Sequence, residues 1–103
     1  MKWIVDIDGT ICRTDGLSYE EAMPKLDVIA FLNRRFELGD EIVYWTARGT
    51  VTGMDWYSVT YEQLTRWGCH YTELRMGKPN YDIWLDDKAL HIDDLWQKFV
   101  KSE

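Results

Sequence analysis

Cysteine is nearly absent: Cys12 and Cys69 are the only two in 103 residues. That is too few for a disulfide framework, and neither stands in a CxxC-type metal spacing, so both read as reduced thiols. Long hydrophobic runs are also missing. No stretch approaches the ~20 apolar residues of a membrane span. The first residues are one lysine and then a strand pattern, with no basic region followed by an apolar stretch of signal-peptide length. The expectation is a cytoplasmic protein with no membrane association. Basic residues are few, twelve against eighteen acidic ones, for a net charge of −6. Such a surface repels nucleic-acid phosphate over most of its area. Lys25 with Arg34-Arg35, Arg48, Arg66 and Arg75 to Lys78 form no dense run, so no nucleic-acid partner is expected. There is no repeat, low-complexity tract or linker, and residues 1–103 read as a single domain.

What is abundant is apolar and aromatic surface. Hydrophobic residues make up 46% of the chain, with six Trp, six Tyr and three Phe, enough to bury a large area per residue in a small domain. Trp3-Ile4-Val5 reads as a short buried strand, and 11–23 as a polar loop or flap with Asp15-Gly16 as a turn. Pro24 opens a helix whose inner face carries Ile29, Leu32 and Phe36 with Val28 beside them, and Gly39 stops it. Ile42-Val43-Tyr44-Trp45 is a second buried strand. After a loop bracketed by Gly49 and Gly53, Trp56, Thr60, Leu64 and Trp67 line up on a second helix ended by Gly68. Residues 69–74 alternate weakly, as an edge strand would. Ile83-Trp84-Leu85 is a short, strong strand signal, and Asp93-Asp94 caps a last helix with Leu95, Trp96 and Phe99 inside and Lys98 and Lys101 near its end. This alternation predicts an α/β, three-layer, Rossmann-like fold: a mostly parallel sheet, helices on both faces, right-handed crossovers.

In such a sheet the strand ends bring acidic groups together. Asp6 and Asp8 follow the first strand, Thr46 ends the second, and Asp86-Asp87 follow Ile83-Trp84-Leu85. Two carboxylates one residue apart raise each other's pKa unless a cation neutralises them, and the C-terminal ends of strands are where open α/β sheets bind ligands. One carboxylate could attack as a nucleophile and a second could carry the proton. The other acids suit Mg²⁺, which prefers oxygen ligands. Lys78 and the Thr46 hydroxyl could hold phosphoryl oxygens.

The four segments Asp6-Ile7-Asp8-Gly9-Thr10, the apolar strand ending in Thr46, Lys78, and Asp86-Asp87 occur in an order that resembles the haloacid dehalogenase superfamily of phosphatases over nearly the whole chain. Trp45-Thr46-Ala47-Arg48, Gly77-Lys78-Pro79-Asn80-Tyr81-Asp82 and Asp86-Asp87-Lys88-Ala89 are similar to a subgroup of small capless members, some associated with capsule or surface-polysaccharide biosynthesis. The resemblance implies a nucleophile, Asp6, that forms an aspartyl-phosphate, and an acid/base, Asp8. It implies Mg²⁺ held by Asp6, the Asp8 backbone carbonyl and Asp86, with Asp87 a direct or water-mediated helper. It also implies phosphate held by Thr46 and Lys78. No segment is long enough for a cap domain, so the site is expected to be open, which suits a large or polymeric phosphoester, or a small substrate such as a sugar phosphate where a neighbouring subunit closes over it, with a nucleotide monophosphate as the alternative. A homo-oligomer that places Tyr57 or the 11–23 flap over a neighbour's crevice would close it.

Blander readings stand beside these. Asp8-Gly9 could be a plain turn, Asp86-Asp87 a helix cap and Lys78 a surface lysine. Arg48, two residues past Thr46, reads either as a contact to the substrate's phosphate or as a solvated loop arginine. Trp56 reads as core. His70 and His91 have no paired ligand spacing, and nothing near Cys12 suggests an activated thiolate. A phospho-receiver module carries similar groups, but its separate phospho-accepting Asp would stand where Thr46 does. A non-catalytic phosphate- or metal-binding module is the remaining alternative.

Overall fold

The computed structural model describes residues 1–99. Lys101, expected near the end of the last helix, lies outside the described residues. Strand β1 (Lys2–Val5) pairs in parallel with β4 (Glu41–Trp45), which pairs in parallel with β5 (Glu73–Arg75). The sheet order is β1-β4-β5, so each crossover steps the same way across the sheet. Helix α1 (Leu26–Glu37) makes the first crossover and α2 (Tyr57–Arg66) the second. A short helix, α3 (Leu95–Phe99), follows a turn of 3-10 helix at Ile92–Asp94. The fold is α/β.

Side-chain alternation decides which face is packed. Val5, Ile42 and Tyr44 join one cluster with Val28, Ile29 and Leu32 of α1, Leu64 of α2 and Leu95 of α3. Helices on both faces were expected. Instead, all three feed this one cluster, while Ile4, of opposite parity on β1, is 52% exposed. Two right-handed crossovers that advance in one direction put both helices on the same face. Around Trp3 the cluster is aromatic: its ring lies 5.7 Å from Phe31 and 5.2 Å from Phe99. Below it Asp40 accepts from the Met1 amino group at 2.8 Å, Trp3 Nε1 at 2.9 Å and Arg35 Nε at 2.7 Å. Those three donors hold its carboxyl far below the usual range.

Several boundaries move. The flap contains an antiparallel ribbon of β2 (Cys12–Arg13) and β3 (Met23–Pro24) and a 3-10 turn at Tyr19–Glu21. Pro24 is therefore in a strand, and α1 begins at Leu26, with the Asp27 carboxylate accepting from the Val28 N–H at 2.8 Å. Phe36 is only partly buried, with the His70 ring 6.2 Å away. The edge strand forms at 73–75 rather than 69–74. His91, not Asp93 or Asp94, caps the final turn, its Nδ1 accepting from the Asp93 N–H at 3.1 Å. The largest departure is at 83–85, where no strand forms and Ile83 and Leu85 are 83% and 96% exposed. Beyond β5 the chain returns to β1 through α3, whose Phe99 ring packs on Trp3, and not through a further strand among the described residues.

Candidate functional site

Val5 is the last residue of β1, and the backbone leaves the sheet through Asp6 to Gly9. Gly9 adopts a φ of +82°, a conformation that residues with a Cβ rarely take. The turn is closed by Gly9 N–H to Cys12 O at 2.9 Å and by Thr10 N–H to Ile7 O at 3.1 Å, with the Ile7 side chain fully buried beneath it. This fixes Asp6 and Asp8 at the C-terminal end of the sheet. Thr46 follows β4 at the same end. Its backbone N–H donates to Arg75 O and its carbonyl accepts from the Lys78 N–H, each at 3.0 Å. That second bond brings the 76–78 loop over the strand ends.

Lys78 lies along this loop with its side chain almost fully buried and its Nζ 3.5 Å from Asp6 Oδ1. The ammonium also donates to Tyr81 Oη at 3.1 Å and sits 5.6 Å from the Trp84 ring. Aromatic walls on a lysine stem hold the charge in place with little freedom. Asp6 is the more strained of the two acids. Burial raises its pKa, Lys78 and the Ile7 N–H pull it down, Asp8 adds to the rise, and the net shift is upward.

Asp8 shifts the other way. Burial works to raise it, but hydrogen bonds from Arg48 and Thr14 outweigh that, and its pKa falls. Arg48 Nε donates to Asp8 Oδ2 and Arg48 Nη2 to Oδ1, both at 2.9 Å, and Thr14 Oγ1 donates to Oδ1 at 2.6 Å. Arg48 Nη1 donates to Thr60 Oγ1 at 3.1 Å and to Gln63 Oε1 at 2.6 Å. Its guanidinium lies 4.9 Å from the Tyr19 ring. The Arg48 side chain is fully buried, so neither sequence reading of it holds: it is not a solvated loop residue, and its donors go to Asp8, Thr60 and Gln63 rather than outward to a phosphate. The Arg48 N–H also donates to Thr46 Oγ1 at 3.1 Å, tying that hydroxyl into the same network.

Sequence reasoning therefore found Asp6, Asp8, Thr46 and Lys78 together and missed Thr14, Thr60, Gln63 and Tyr81. The available signal was two polar residues, Thr60 and Gln63, three apart on the inward stripe of α2, where polar groups need partners. Asp86 and Asp87 are not brought to the site. Asp86 is exposed and accepts locally, from Lys88 N–H at 2.8 Å and Trp84 Nε1 at 3.3 Å, which lowers its pKa. Among the described residues no three His, Cys, Asp or Glu side chains are grouped closely enough to hold a metal between them. Trp84 instead packs at the end of β4, its ring 6.2 Å from Trp45. His91 and His70 are exposed, and the Cys12 thiol is pushed up by burial, the opposite of activation. Trp56 packs edge-on to Tyr19 at 5.0 Å, whereas Tyr57 is exposed and stacked on Tyr61 at 6.1 Å. A cleft of about 230 Å³ adjoins the site, lined by Arg48 to Thr50, Met54 to Trp56, and Met76-Gly77. No helix is long and apolar enough to cross a membrane among the described residues.

No protein-family model matches the chain, and no curated protein does. The fold is close to the crystal structure of a Vibrio cholerae protein, at 29% identity and a TM-score of 0.86, covering 98% of this chain and 91% of that one. A chain of a Pnkp1/Rnl/Hen1 complex is similar at 16% identity and a TM-score of 0.60, with 96% of this chain matched to 34% of that one. A second structure, of the Pnkp1/Rnl/Hen1 RNA repair complex, matches at 15% and 0.59 over 32% of its chain. The last two likenesses are of fold, and this chain spans about a third of those proteins.

Proposed function

We propose that the protein is a Mg²⁺-dependent phosphomonoester hydrolase of the haloacid dehalogenase type, acting through an aspartyl-phosphate on Asp6. The observation that carries this reading is the meeting of Asp6, Asp8, Thr46 and Lys78 at one end of a parallel sheet, with Lys78 Nζ 3.5 Å from the Asp6 carboxylate. An Asp6 carboxylate oxygen forms a bond to phosphorus as the bond to the leaving oxygen breaks. Water then attacks phosphorus, regenerating Asp6 and releasing inorganic phosphate. Lys78 and the Thr46 hydroxyl face the charge that builds on the phosphoryl oxygens. Asp8, held ionised by Arg48, is set to take the proton from that water.

Mg²⁺ often binds through only one or two carboxylates and keeps several waters. The Asp6 carboxylate with the Asp8 carbonyl fits that donor set; burial, the main cause of the upward Asp6 pKa with Asp8 adding to it, is a cost that a cation there would offset. The ion, when bound, would supply charge neutralisation at the phosphoryl oxygens. A protonated Asp8 is disfavoured here, so leaving groups that depart without a proton should react best. The net charge of −6 weighs against a polynucleotide and leaves a small phosphate ester, such as a sugar phosphate, as the favoured substrate.

The test is release of phosphate from an aryl phosphate. Activity that needs Mg²⁺ and disappears in Asp6→Asn is expected; activity that survives the substitution removes Asp6 as nucleophile.

A further inference from the structure

The outer edge of β1 and the segment Ile83–Leu85 are each missing the same thing. β1 pairs with β4 on one side and with no strand on the other among the described residues, which leaves a row of backbone donors and acceptors open for pairing. Ile83-Trp84-Leu85 has the composition of a buried strand, yet Ile83 and Leu85 are 83% and 96% exposed. On β1 itself, Ile4 is 52% exposed as well. Large apolar side chains left open in this way are candidates for burial against a partner.

The chain cannot lay this segment parallel to its own β1. β5 lies at the opposite edge of the sheet from the open side of β1, and only seven residues, 76–82, separate Arg75 from Ile83. A crossover between parallel strands takes about a dozen or more. Part of that short segment is also fixed. Lys78 N–H donates to Thr46 O at 3.0 Å, Lys78 O accepts from Thr50 Oγ1 at 2.8 Å, and Lys78 Nζ sits by Asp6. Four residues, 79–82, then remain to pass β1 and descend to its N-terminal end.

We infer that two copies of this chain exchange Ile83–Leu85, each laying the segment in parallel against the free edge of the other's β1, so that Asp86 and Asp87 of one copy complete the Asp6–Asp8 site of its partner. A second copy is the fitting occupant because the same chain supplies both the open edge and the unpaired strand, and a two-fold axis satisfies both at once. Parallel pairing ends the incoming strand level with Val5. The two residues that follow it, Asp86 and Asp87, then arrive beside Asp6, at the site where the described residues of a single chain bring together no third acidic group. The exchange of strands stands independently of the chemistry; the role given to Asp86 rests on the hydrolase reading.

Two measurements test this, and they fail separately. Sedimentation of the full chain should give twice the 12.3 kDa of one copy, and Leu85→Lys, which changes a side chain exposed in the single chain, should give one copy that still melts cooperatively. A single-copy mass for the unaltered chain, or a double mass that Leu85→Lys leaves intact, overturns the exchange whether or not the protein is a hydrolase. For the shared site, Asp6→Asn and Asp86→Asn chains are unfolded and refolded together. Random pairing leaves one intact site in half of the dimers, so activity should return to about a quarter of the unaltered level from two inactive parents. No return of activity, with the two-copy mass confirmed, shows that Asp86 does not cross between copies. A two-copy mass abolished by Leu85→Lys, in a protein that hydrolyses no phosphate ester, upholds the exchange and refutes only the hydrolase reading.

Discussion

Arg48 grips Asp8 through two parallel hydrogen bonds of 2.9 Å each, from a guanidinium that solvent does not reach. Arg48 is itself held by Thr60 and Gln63 of α2, so the acidic loop after β1 is fastened to a helix nearly fifty residues later in the chain. The two neighbouring acids are thereby driven apart in pKa, Asp8 downward and Asp6 upward. Opposite environments for paired acids are a common way to assign two catalytic roles.

Replacing Arg48 by Lys keeps the charge and removes the fork. The Asp8 pKa should then rise. If Asp8 must be ionised to take water's proton, the acidic limb of kcat moves to higher pH, while the same substitution weakens folding by roughly 1–3 kcal/mol through Thr60 and Gln63 left without their partner. A pH–rate profile and urea unfolding check both, and an unmoved acidic limb would show that Asp8 is not the titrating base.

Asp40 governs acid stability instead of activity. Its carboxyl is held well below the ordinary range by the Met1 amino group, Trp3, and Arg35. Its contribution is therefore full above the unfolded aspartate value of ~3.9 and is lost as pH falls toward the depressed folded value. Asp40→Asn should lower stability at neutral pH and flatten the decline below about pH 4. Thermal melts from pH 7 down to pH 2.5 measure the difference in slope.

Gly49 carries the loop that presents Arg48. Its φ is +82°, and a Cβ there would run into the Met54 carbonyl oxygen, with Trp56 Cδ1 also 3.2 Å away. Gly49→Ala should destabilise the protein by about 1–3 kcal/mol and reduce activity by displacing Arg48. Denaturant unfolding and kcat on an aryl phosphate would separate the two effects.

Most of the sheet and helices could be read from the chain because their signals are local. Ile42 to Trp45 is an apolar run of strand length, and Ile29 and Leu32 repeat at helical spacing. Ile83-Trp84-Leu85 carries an equally local signal, but a strand also needs a neighbour within reach, and the seven residues after β5 do not provide the path. The face on which the helices pack follows from the order of strands, which periodicity does not report. Within the site, Asp6, Asp8, Thr46 and Lys78 could be placed because each ends or follows a strand. The partners of Arg48 lie 12, 15 and 40 residues away, and no spacing rule joins them.

Asp6 should also reveal itself through stability in the absence of metal. Its folded pKa is raised, chiefly by burial, so the stabilisation it gives is present below the unfolded aspartate value and is lost as pH rises through the folded one. At neutral pH the ionised carboxylate therefore works against folding, with Lys78 only partly offsetting it. Asp6→Asn removes that charge while keeping the shape, and in chelator its melting temperature should exceed that of the unaltered protein. A divalent ion that binds the folded site should reverse the order, because ligand binding to the folded state alone raises the melting temperature of the protein that can bind it. Melting both proteins with EDTA and with millimolar Mg²⁺ is the measurement. Equal responses to Mg²⁺ would mean that the Asp6 carboxylate does not hold the ion, and a lower melting temperature for Asp6→Asn in EDTA would mean that Lys78 already neutralises it.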